Sequence, residues 1–503
     1  MKRIISAALL VSLLISSLIS CGGTDAADNS VTDMADTGSP ADTEAVSGEE
    51  TTLFTPDGLP ADLDLGGREV QINIGNYNDA YWTDFYSGEE TGNRLSDTIF
   101  RTIQSVSDRL NVKLTYSRSD FTWSDMNKYI QQIKSVILAG DDSIDLIMGA
   151  MSFCDWRLEG DYLADLSKTA YIDLSKPWYN QTVISNLPDD RIDFIVGDFS
   201  LVTAEYPFGM YFNQNLYESL GRTEDLYGIV DGGKWTYEKL TSLIADSYGD
   251  LDGDGKAGAG DRYGLVFGDS NKYLGFLQPC GIKMFVKTDG GYEFVYDNEH
   301  AVNAIQYLAA LINENGNVRP ALGNADNPEL MSSGGGNYVH YAFLEGRSMF
   351  TGALVRDAAA IIPNIDFQYG LLPFPKYEES YEYASMLQRS GYAQIPVTAT
   401  NADDSSAVLE ALSSEYYRTV MPEYCEVTLK TRYSQDSDVS RMFDLIIHSV
   451  TFDPGELYAM LLGTPSGMIK EALATSSPNW VSMVAKRKDT MISEMQKVSG
   501  AAG

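Results

Sequence analysis

The sequence predicts an α/β protein with more than one lobe and a parallel sheet in its N-terminal part. Strand-like and helix-like segments alternate over residues 68–148, which is the pattern of a parallel sheet with crossover helices. The chain has 503 residues, of which 44% are hydrophobic, so it can bury a sizeable core, and its length suggests two or three lobes. Beyond residue 21, no stretch approaches the roughly 18–20 consecutive apolar residues of a membrane span.

The first strand is predicted at residues 68–74, where apolar and polar side chains alternate. Helical spacing of apolar residues over 93–110 predicts the first helix, and 111–116 is again strand-like. A second helix is expected at 124–139 and a short apolar strand at 144–148. Ligands of such sheets bind beyond the carboxyl ends of the strands. The loops that follow these ends are residues 75–92, 117–123 and 149–160.

The rest of the chain shows less regular patterning. We expect an extended aromatic segment at 200–212, strands at 347–352, 367–373 and 391–396, and helices at 235–248, 297–313, 405–414, 439–449 and 481–497.

The first twenty residues have the features of an export signal. Lys2 and Arg3 form a positive region, residues 4–19 are almost unbroken apolar sequence, and a small residue precedes Cys21. This arrangement resembles the signal and lipobox of bacterial lipoproteins. The resemblance implies cleavage after residue 20 and acylation of Cys21, which would hold a soluble domain on the outer face of the cell membrane. An ordinary secretory signal with an incidental cysteine, or an uncleaved anchor, is the alternative.

Residues 21–66 are expected to form a disordered tether between this anchor and the folded domain of residues 67–503. They are rich in Asp, Glu, Ser, Thr, Gly and Ala, and no Lys or Arg occurs between Arg3 and Arg68. Such acidic, weakly hydrophobic sequence extends by self-repulsion.

The composition argues against a nucleic-acid-binding protein. The chain has 71 acidic and 36 basic residues, for a formal charge of -35, whereas phosphate binding relies on clusters of Lys and Arg.

An Asp- and Gly-rich segment at 250–261 fits the twelve-position loop of EF-hand calcium sites. Acids occupy its first, third and fifth positions and Gly its sixth, and the seventh supplies a carbonyl. The twelfth position carries Asp in place of the usual longer Glu. We therefore expect a structural Ca²⁺ bound by Asp250, Asp252, Asp254, Lys256 and Asp261; the alternative is a solvated turn.

Several segments resemble, in order, the extracellular solute-binding proteins of sugar-importing ABC transporters, including large clostridial members. They are ETGNRLSDTIFRTIQSVSDRLNVKLTY (90–116), GMYFNQNLYESLG (209–221), KWTYEKLTSLIADSYGDLDGDGKAGAGDRYGL (234–265), FLEGRSMFTG (343–352), FQYGLLPFPKY (367–377) and YCEVTLKTRYSQDSDVSRMFDLI (424–446).

The resemblance implies a two-lobed periplasmic-binding-protein-like fold of type II, with a ligand cleft between lobes that are joined by crossing strands. Lobe 1 would comprise about 67–203 and 353–400, and lobe 2 about 204–352 and 401–503. It also implies a monomer without catalytic activity, which captures a carbohydrate, expected to be an oligosaccharide, and passes it to the permease of an ABC importer.

A sugar site needs flat apolar faces for the ring C–H groups and planar polar groups for the hydroxyls, and these should meet in the strand-end loops and near the crossing. For each candidate, core packing is the alternative. The candidates are Tyr81, Trp82, Asp84, Phe153, Asp155, Trp156, Glu205, Tyr206 and Phe208.

Three other functions remain open from sequence alone. A surface glycosidase needs only two suitably spaced carboxylates, and 71 acids leave that possible. A binding protein for a non-sugar solute and a ligand-less adhesin are the others.

Overall fold

Two mixed sheets form the framework of the folded domain. The computed structural model describes residues 55–77, 82–122, 125–149, 161–320, 327–334, 337–387, 391–425 and 437–498. Within these ranges, no helix combines the length and the hydrophobicity that a membrane span requires.

The strands in chain order are β1 (Glu69–Tyr77), β2 (Lys113–Phe121), β3 (Leu146–Gly149), β4 (Phe208–Asn213), β5 (Tyr263–Phe267), β6 (Phe285–Thr288), β7 (Gly291–Phe294), β8 (Val318–Arg319), β9 (Leu330–Gly334), β10 (Asn337–His340), β11 (Ser348–Leu354), β12 (Tyr369–Pro373) and β13 (Tyr392–Gln394).

The α-helices are α1 (Trp82–Phe85), α2 (Arg94–Leu110), α3 (Met126–Leu138), α4 (Gln181–Asn186), α5 (Val202–Glu205), α6 (Gln214–Ser219), α7 (Leu226–Asp231), α8 (Tyr237–Ile244), α9 (Glu299–Asn313), α10 (Tyr341–Leu344), α11 (Ala358–Ile361), α12 (Ala402–Glu415), α13 (Met421–Glu423), α14 (Ser437–His448), α15 (Pro454–Leu457), α16 (Gly467–Leu473), α17 (Trp480–Ala485) and α18 (Lys488–Val498).

The first sheet has the strand order β13-β3-β1-β2. Strands β1, β2 and β3 run parallel, with Ile72 opposite both Tyr116 and Leu146, and β13 joins antiparallel at the edge. The helices between these strands begin and end within two residues of the predicted bounds. Asn93 caps α2 by accepting a hydrogen bond from the Ser96 amide, and Asn111 ends it with a left-handed φ of 46°. The parallel sheet predicted for residues 68–148 is confirmed.

The second sheet has the order β12-β4-β11-β5-β8. Strand β4 is antiparallel to both neighbours, whereas β11, β5 and β8 run parallel. A hydrophobic core continues from one lobe to the other. Large side chains in it are also hydrogen-bonded; the Trp235 indole N–H, for example, donates to the Pro373 carbonyl at 2.8 Å.

Two segments lie in the lobe opposite to the expected one. Strand β12 pairs with β4 in the second sheet, and α12 packs on α2 of the first lobe. Ten consecutive residues of α12 are buried, so this helix is covered by other elements on every side. Its position in the sequence does not show which lobe covers it. The chain therefore returns to lobe 1 near residue 387, where Leu387 bridges Pro207, and leaves it again after residue 425.

Local differences are smaller. The segment expected to be extended at 200–212 contains the short helix α5 before β4, and the helix expected at 481–497 is broken between α17 and α18. A tight turn separates these two helices. In it, the Arg487 amide donates to the Val484 carbonyl, three residues earlier.

Candidate ligand-binding cleft

The carboxyl ends of strands from both sheets meet at the crossing between the lobes. Phe208, the first residue of β4, pairs with Leu354, the last residue of β11. On the other side of the crossing, the amide of Leu201 donates to the carbonyl of Asp84, which follows β1. The crossing segment 201–208 therefore lies between the end of β1 and the end of β11, where two-lobed α/β proteins bind ligands.

Asp84 brings a carboxyl group with an unused oxygen to this junction. The residue is 4% exposed, and among the residues that the structure describes its buried Oδ2 atom has no hydrogen-bond partner. Burial raises the pKa of Asp84 well above its usual value, the negative charge of Glu205 raises it further, and the positive charge of Arg356 acts against both. A buried polar atom without a partner is uncommon in folded proteins, so Oδ2, next to the crossing segment, is a candidate for a ligand contact.

Arg356, which follows β11, contacts two residues of the crossing segment. Its guanidinium bonds to the Tyr206 hydroxyl and lies 4.7 Å from the centroid of that ring. The guanidinium is also 3.6 Å from the Glu205 carboxylate. Burial raises the pKa of Glu205, and Arg356 opposes the rise. The sequence does not single out Arg356; the signal it offers is the position of this residue just after the strand predicted at 347–352.

Aromatic residues surround this cluster. The Tyr416 hydroxyl donates to the Phe85 carbonyl at 2.8 Å, and the Tyr86 and Tyr116 rings lie 4.4 Å apart. Burial raises the pKa of Tyr416, as do the neighbouring groups Tyr116 and Asp84. Tyr416 opens a π-helical turn, Tyr416–Val420, directly after α12, a local irregularity that is frequent at functional sites.

A buried ion pair fixes the turn that carries Arg356. Lys272 and Asp357 are both 0% exposed, and Lys272 Nζ lies 2.8 Å from Asp357 Oδ2. The same carboxylate accepts hydrogen bonds from the Leu354 amide and the Ser333 hydroxyl. It thus ties together the segment after β5, the β9–β10 hairpin and the end of β11. Neither Lys272 nor Asp357 was predicted, because they lie 85 positions apart in the sequence.

The structure brings three of the predicted ligand residues together, namely Asp84, Glu205 and Tyr206. Phe208 is a different case, because it is 1% exposed and its ring packs edge-on against Phe374 with centroids 6.2 Å apart. It is a core residue, and the prediction that it lines the cleft is wrong. Trp82 begins α1, but its side chain lies outside the described part of the chain, as do Tyr81, Phe153, Asp155 and Trp156.

The predicted calcium loop lies on the surface of lobe 2, before β5. Carboxylate oxygens of Asp250, Asp252 and Asp254 are within 4.8 Å of one another, and all three residues are exposed. Asp250 accepts hydrogen bonds from the amides of Gly253 and Gly255, an arrangement that holds its carboxylate toward the other two.

The twelfth position of that loop has different contacts. Asp261 accepts from the Leu251 and Gly258 amides and from the Tyr248 hydroxyl. These bonds fold the loop and keep the Asp261 carboxylate apart from the three-acid group. The donor chemistry of Asp250, Asp252 and Asp254 suits a hard cation, whereas Asp261 fits a role in shaping the loop.

No family model and no curated protein matches the chain. Solved structures do resemble it. The cyclic alpha-maltosyl-1,6-maltose binding protein of Arthrobacter globiformis aligns with a TM-score of 0.53 and 14% identity over 85% of this chain and 99% of that chain. The GacH receptor of Streptomyces glaucescens, determined unliganded and with acarbose, aligns at 0.52 and 14% identity over 86% and 99%.

An ABC substrate-binding protein of Listeria monocytogenes in complex with cycloalternan gives a TM-score of 0.50 and 11% identity over 86% and 99% of the two chains. At these identities the comparison identifies the fold. The chain has the two-lobed α/β fold of periplasmic binding proteins, as the sequence predicts.

Proposed function

We propose that this protein binds an oligosaccharide between its lobes, outside the cytoplasm, and delivers it unaltered to an ABC importer. The observation that carries the proposal is the buried Oδ2 oxygen of Asp84, which has no partner among the described residues and lies beside Glu205, Tyr206 and Arg356 at the crossing. The fold, shared with structures that bind maltose-type sugars and acarbose, supports it.

The chemistry of the cluster suits sugar hydroxyls, each of which can both donate and accept a hydrogen bond. Asp84 in its protonated form can donate a hydrogen bond to a hydroxyl oxygen, and the Glu205 carboxyl group, which lies 3.6 Å from the Arg356 guanidinium, can accept a hydrogen bond from a hydroxyl group. The half-buried Tyr86, packed near Tyr116, supplies flat apolar surface nearby for sugar C–H groups, and the buried Tyr416 supports it through its bond to the Phe85 carbonyl. A cleft of this kind needs no catalytic group, because release follows from separation of the lobes.

A thermal-shift screen against a glycan panel that includes maltose, maltotriose and cyclic glucans tests this function. At least one glycan should raise the melting temperature, and mass spectrometry should recover it at its original mass. Recovery of shorter products would indicate a glycan-degrading enzyme, and stabilisation only by peptides or other solutes would indicate a different ligand class.

The Cys21 anchor gives a separate prediction. A Cys21→Ala chain should be found in the medium and should take up no palmitate label, because two or three acyl chains provide the membrane affinity. It should retain glycan binding, because the proposed sugar contacts are made by other residues. Sugar uptake by the cell should fall, since the local concentration at the importer is lost. Cys425→Ala is the matched control, because this partly buried residue of lobe 1 should leave labelling unchanged. Palmitate label on the Cys21→Ala chain would contradict the lipoprotein assignment.

We further propose that Asp250, Asp252 and Asp254 hold a structural Ca²⁺, with the Lys256 carbonyl as a fourth ligand and Asp261 organising the loop. Adding Ca²⁺ to chelated protein at about 100 times Kd should stabilise it by about 2.7 kcal/mol; extracellular sites of this type have Kd values of ~10⁻⁴–10⁻³ M. Asp252→Asn should abolish the gain, and Asp246→Asn, an exposed neighbour outside the loop, should retain it. A melting temperature that does not respond to Ca²⁺ in the parent protein would count against the site.

A further inference from the structure

The lobes contact each other at a second place, away from the crossing segments. The hairpin β6–β7, residues 285–294, belongs to lobe 2, where the Phe294 ring packs under Lys488 of α18. Helix α4 belongs to lobe 1, because the Asn180 amide at its start bonds to the Val196 carbonyl and the adjacent Ile195 bridges Ala393 in β13.

Two side chains of this hairpin reach the C-terminal end of α4. The Tyr292 hydroxyl donates to the Asn186 carbonyl at 2.8 Å, and Lys287 Nζ donates to the Leu187 carbonyl at 2.7 Å. Lys287 Nζ also lies 2.7 Å from the exposed Asp189 carboxylate. The last carbonyls of a helix have no partner within the helix and carry partial negative charge, so a hydroxyl and an ammonium group suit them.

Contacts beside the hairpin extend the same interface. Asn186 Nδ2 donates to the Phe452 carbonyl at 3.0 Å. The rings of Phe194 from lobe 1 and Tyr458 from lobe 2 pack edge-on with centroids 6.0 Å apart. The interface therefore combines directional polar bonds with one aromatic contact between lobes that the chain connects elsewhere, near residues 207 and 387.

The polar part of this interface can be released without leaving a buried group unpaired. Lys287 and Tyr292 are half-buried, so water can replace them at the helix end when the lobes separate. A contact of this kind is reversible, unlike the Lys272–Asp357 pair, whose members are 0% exposed.

We propose that the β6–β7 hairpin is a latch that stabilises the arrangement with the lobes together, and that Tyr292 and Lys287 set the balance between this arrangement and an open one. This inference rests on the proposed binding function. In that function, the latch would set the fraction of ligand-free protein in which the lobes are together and can bind ligand. Losing one neutral and one charge-assisted hydrogen bond should lower the equilibrium constant for lobe contact about tenfold or more.

Small-angle X-ray scattering of the ligand-free chain tests the latch without depending on any sugar. The whole chain would be used with Cys21→Ser so that it stays in solution. Lys287→Met/Tyr292→Phe should have a larger radius of gyration than the parent, Lys287→Glu should increase it further, and Tyr292→Phe alone should fall between. The matched control is Lys486→Met/Tyr307→Phe, which makes the same two chemical changes at exposed positions of lobe 2.

Tyr292→Phe removes one oxygen atom from a half-buried side chain, so it keeps the test decisive if the double variant does not fold. An equal radius of gyration for the parent, Tyr292→Phe and the folded double variant would overturn the latch. Such a result would leave sugar binding untouched, because the glycan screen tests that separately.

Discussion

Replacing Lys272 by methionine is expected to lower the free energy of unfolding by about 3–5 kcal/mol, since it leaves the charge of a buried partner uncompensated. Asp357 is 0% exposed, and its remaining contacts, the Leu354 amide and the Ser333 hydroxyl, do not neutralise it. Urea unfolding followed by circular dichroism would measure the change. The control is Lys486→Met, an exposed lysine of the same lobe, which should change stability by less than about 0.5 kcal/mol.

The double variant Lys272→Met/Asp357→Asn should recover part of this loss. The side-chain amide that replaces the Asp357 carboxylate can still accept from the Leu354 amide but carries no charge, so the two substitutions should not be additive. Additive losses, or a Lys272→Met protein as stable as the control, would show that the ion pair does not hold the end of β11 and hence does not position Arg356.

The second large effect is on the pH dependence of stability. Burial raises the pKa of Asp198 to about 7, of Glu410 to about 7 and of Asp453 to about 6. Their folded-state pKa values exceed those of the unfolded chain, so the folded protein binds more protons between about pH 4 and pH 7. Stability should therefore fall as the pH rises through this range.

Glu329 has the opposite effect on stability, which it lowers as the pH falls. Its pKa is lowered to about 2 by the His340 ring, whose Nε2 lies 3.1 Å from Glu329 Oε2, and by hydrogen bonds from Arg319, and these effects outweigh its partial burial. This group stabilises the fold above its unfolded pKa and loses that contribution as the pH falls toward 2. Melting temperatures measured from pH 3 to pH 8 should therefore be highest near pH 4–5.

A single substitution tests how much Glu410 contributes to the loss of stability as the pH rises. Glu410 is 0% exposed, and its Oε2 accepts from the Tyr179 hydroxyl at 2.6 Å; the charge of Asp57 adds to the effect of burial on its pKa. Glu410→Gln keeps this bond without a charge, so it should stabilise the protein by roughly 2–3 kcal/mol at pH 8 and by little at pH 4. Surface substitution Glu314→Gln is the control. A Glu410→Gln protein with the parent's pH profile would refute the assignment.

The sequence predicts both the elements and the pairing of the first sheet, but for the second lobe it predicts single elements without their pairing. Alternation over residues 68–148 predicts β1, β2, β3 and the two helices between them, because each of these elements shows its own periodicity and its partners are close in the chain. In the second sheet, β11 pairs with β5 about eighty residues earlier and with β4 still farther back. Such pairings leave no periodic signal in a single sequence.

The same distinction between local sequence pattern and long-range pairing applies to the residues of the candidate site. Asp84, Glu205 and Tyr206 could be selected because they follow a predicted strand or lie at the crossing. Arg356, and the ion pair that holds its turn, depend on long-range pairing in the second sheet and were missed. Phe208 was selected for its aromatic ring near the crossing, but only its neighbour Phe374 shows that this ring belongs to the core.

Titration calorimetry with the glycan that gives the largest thermal shift tests the central claim most directly. The parent protein should bind one glycan molecule per chain. Asp84→Ala should weaken binding about 5- to 150-fold, since removing a partner from a desolvated hydrogen bond costs about 1–3 kcal/mol, while Asp246→Asn should leave binding unchanged. Equal affinity of Asp84→Ala and the parent would remove Asp84 from the site, and no glycan binding by the folded parent protein would contradict the proposed function itself.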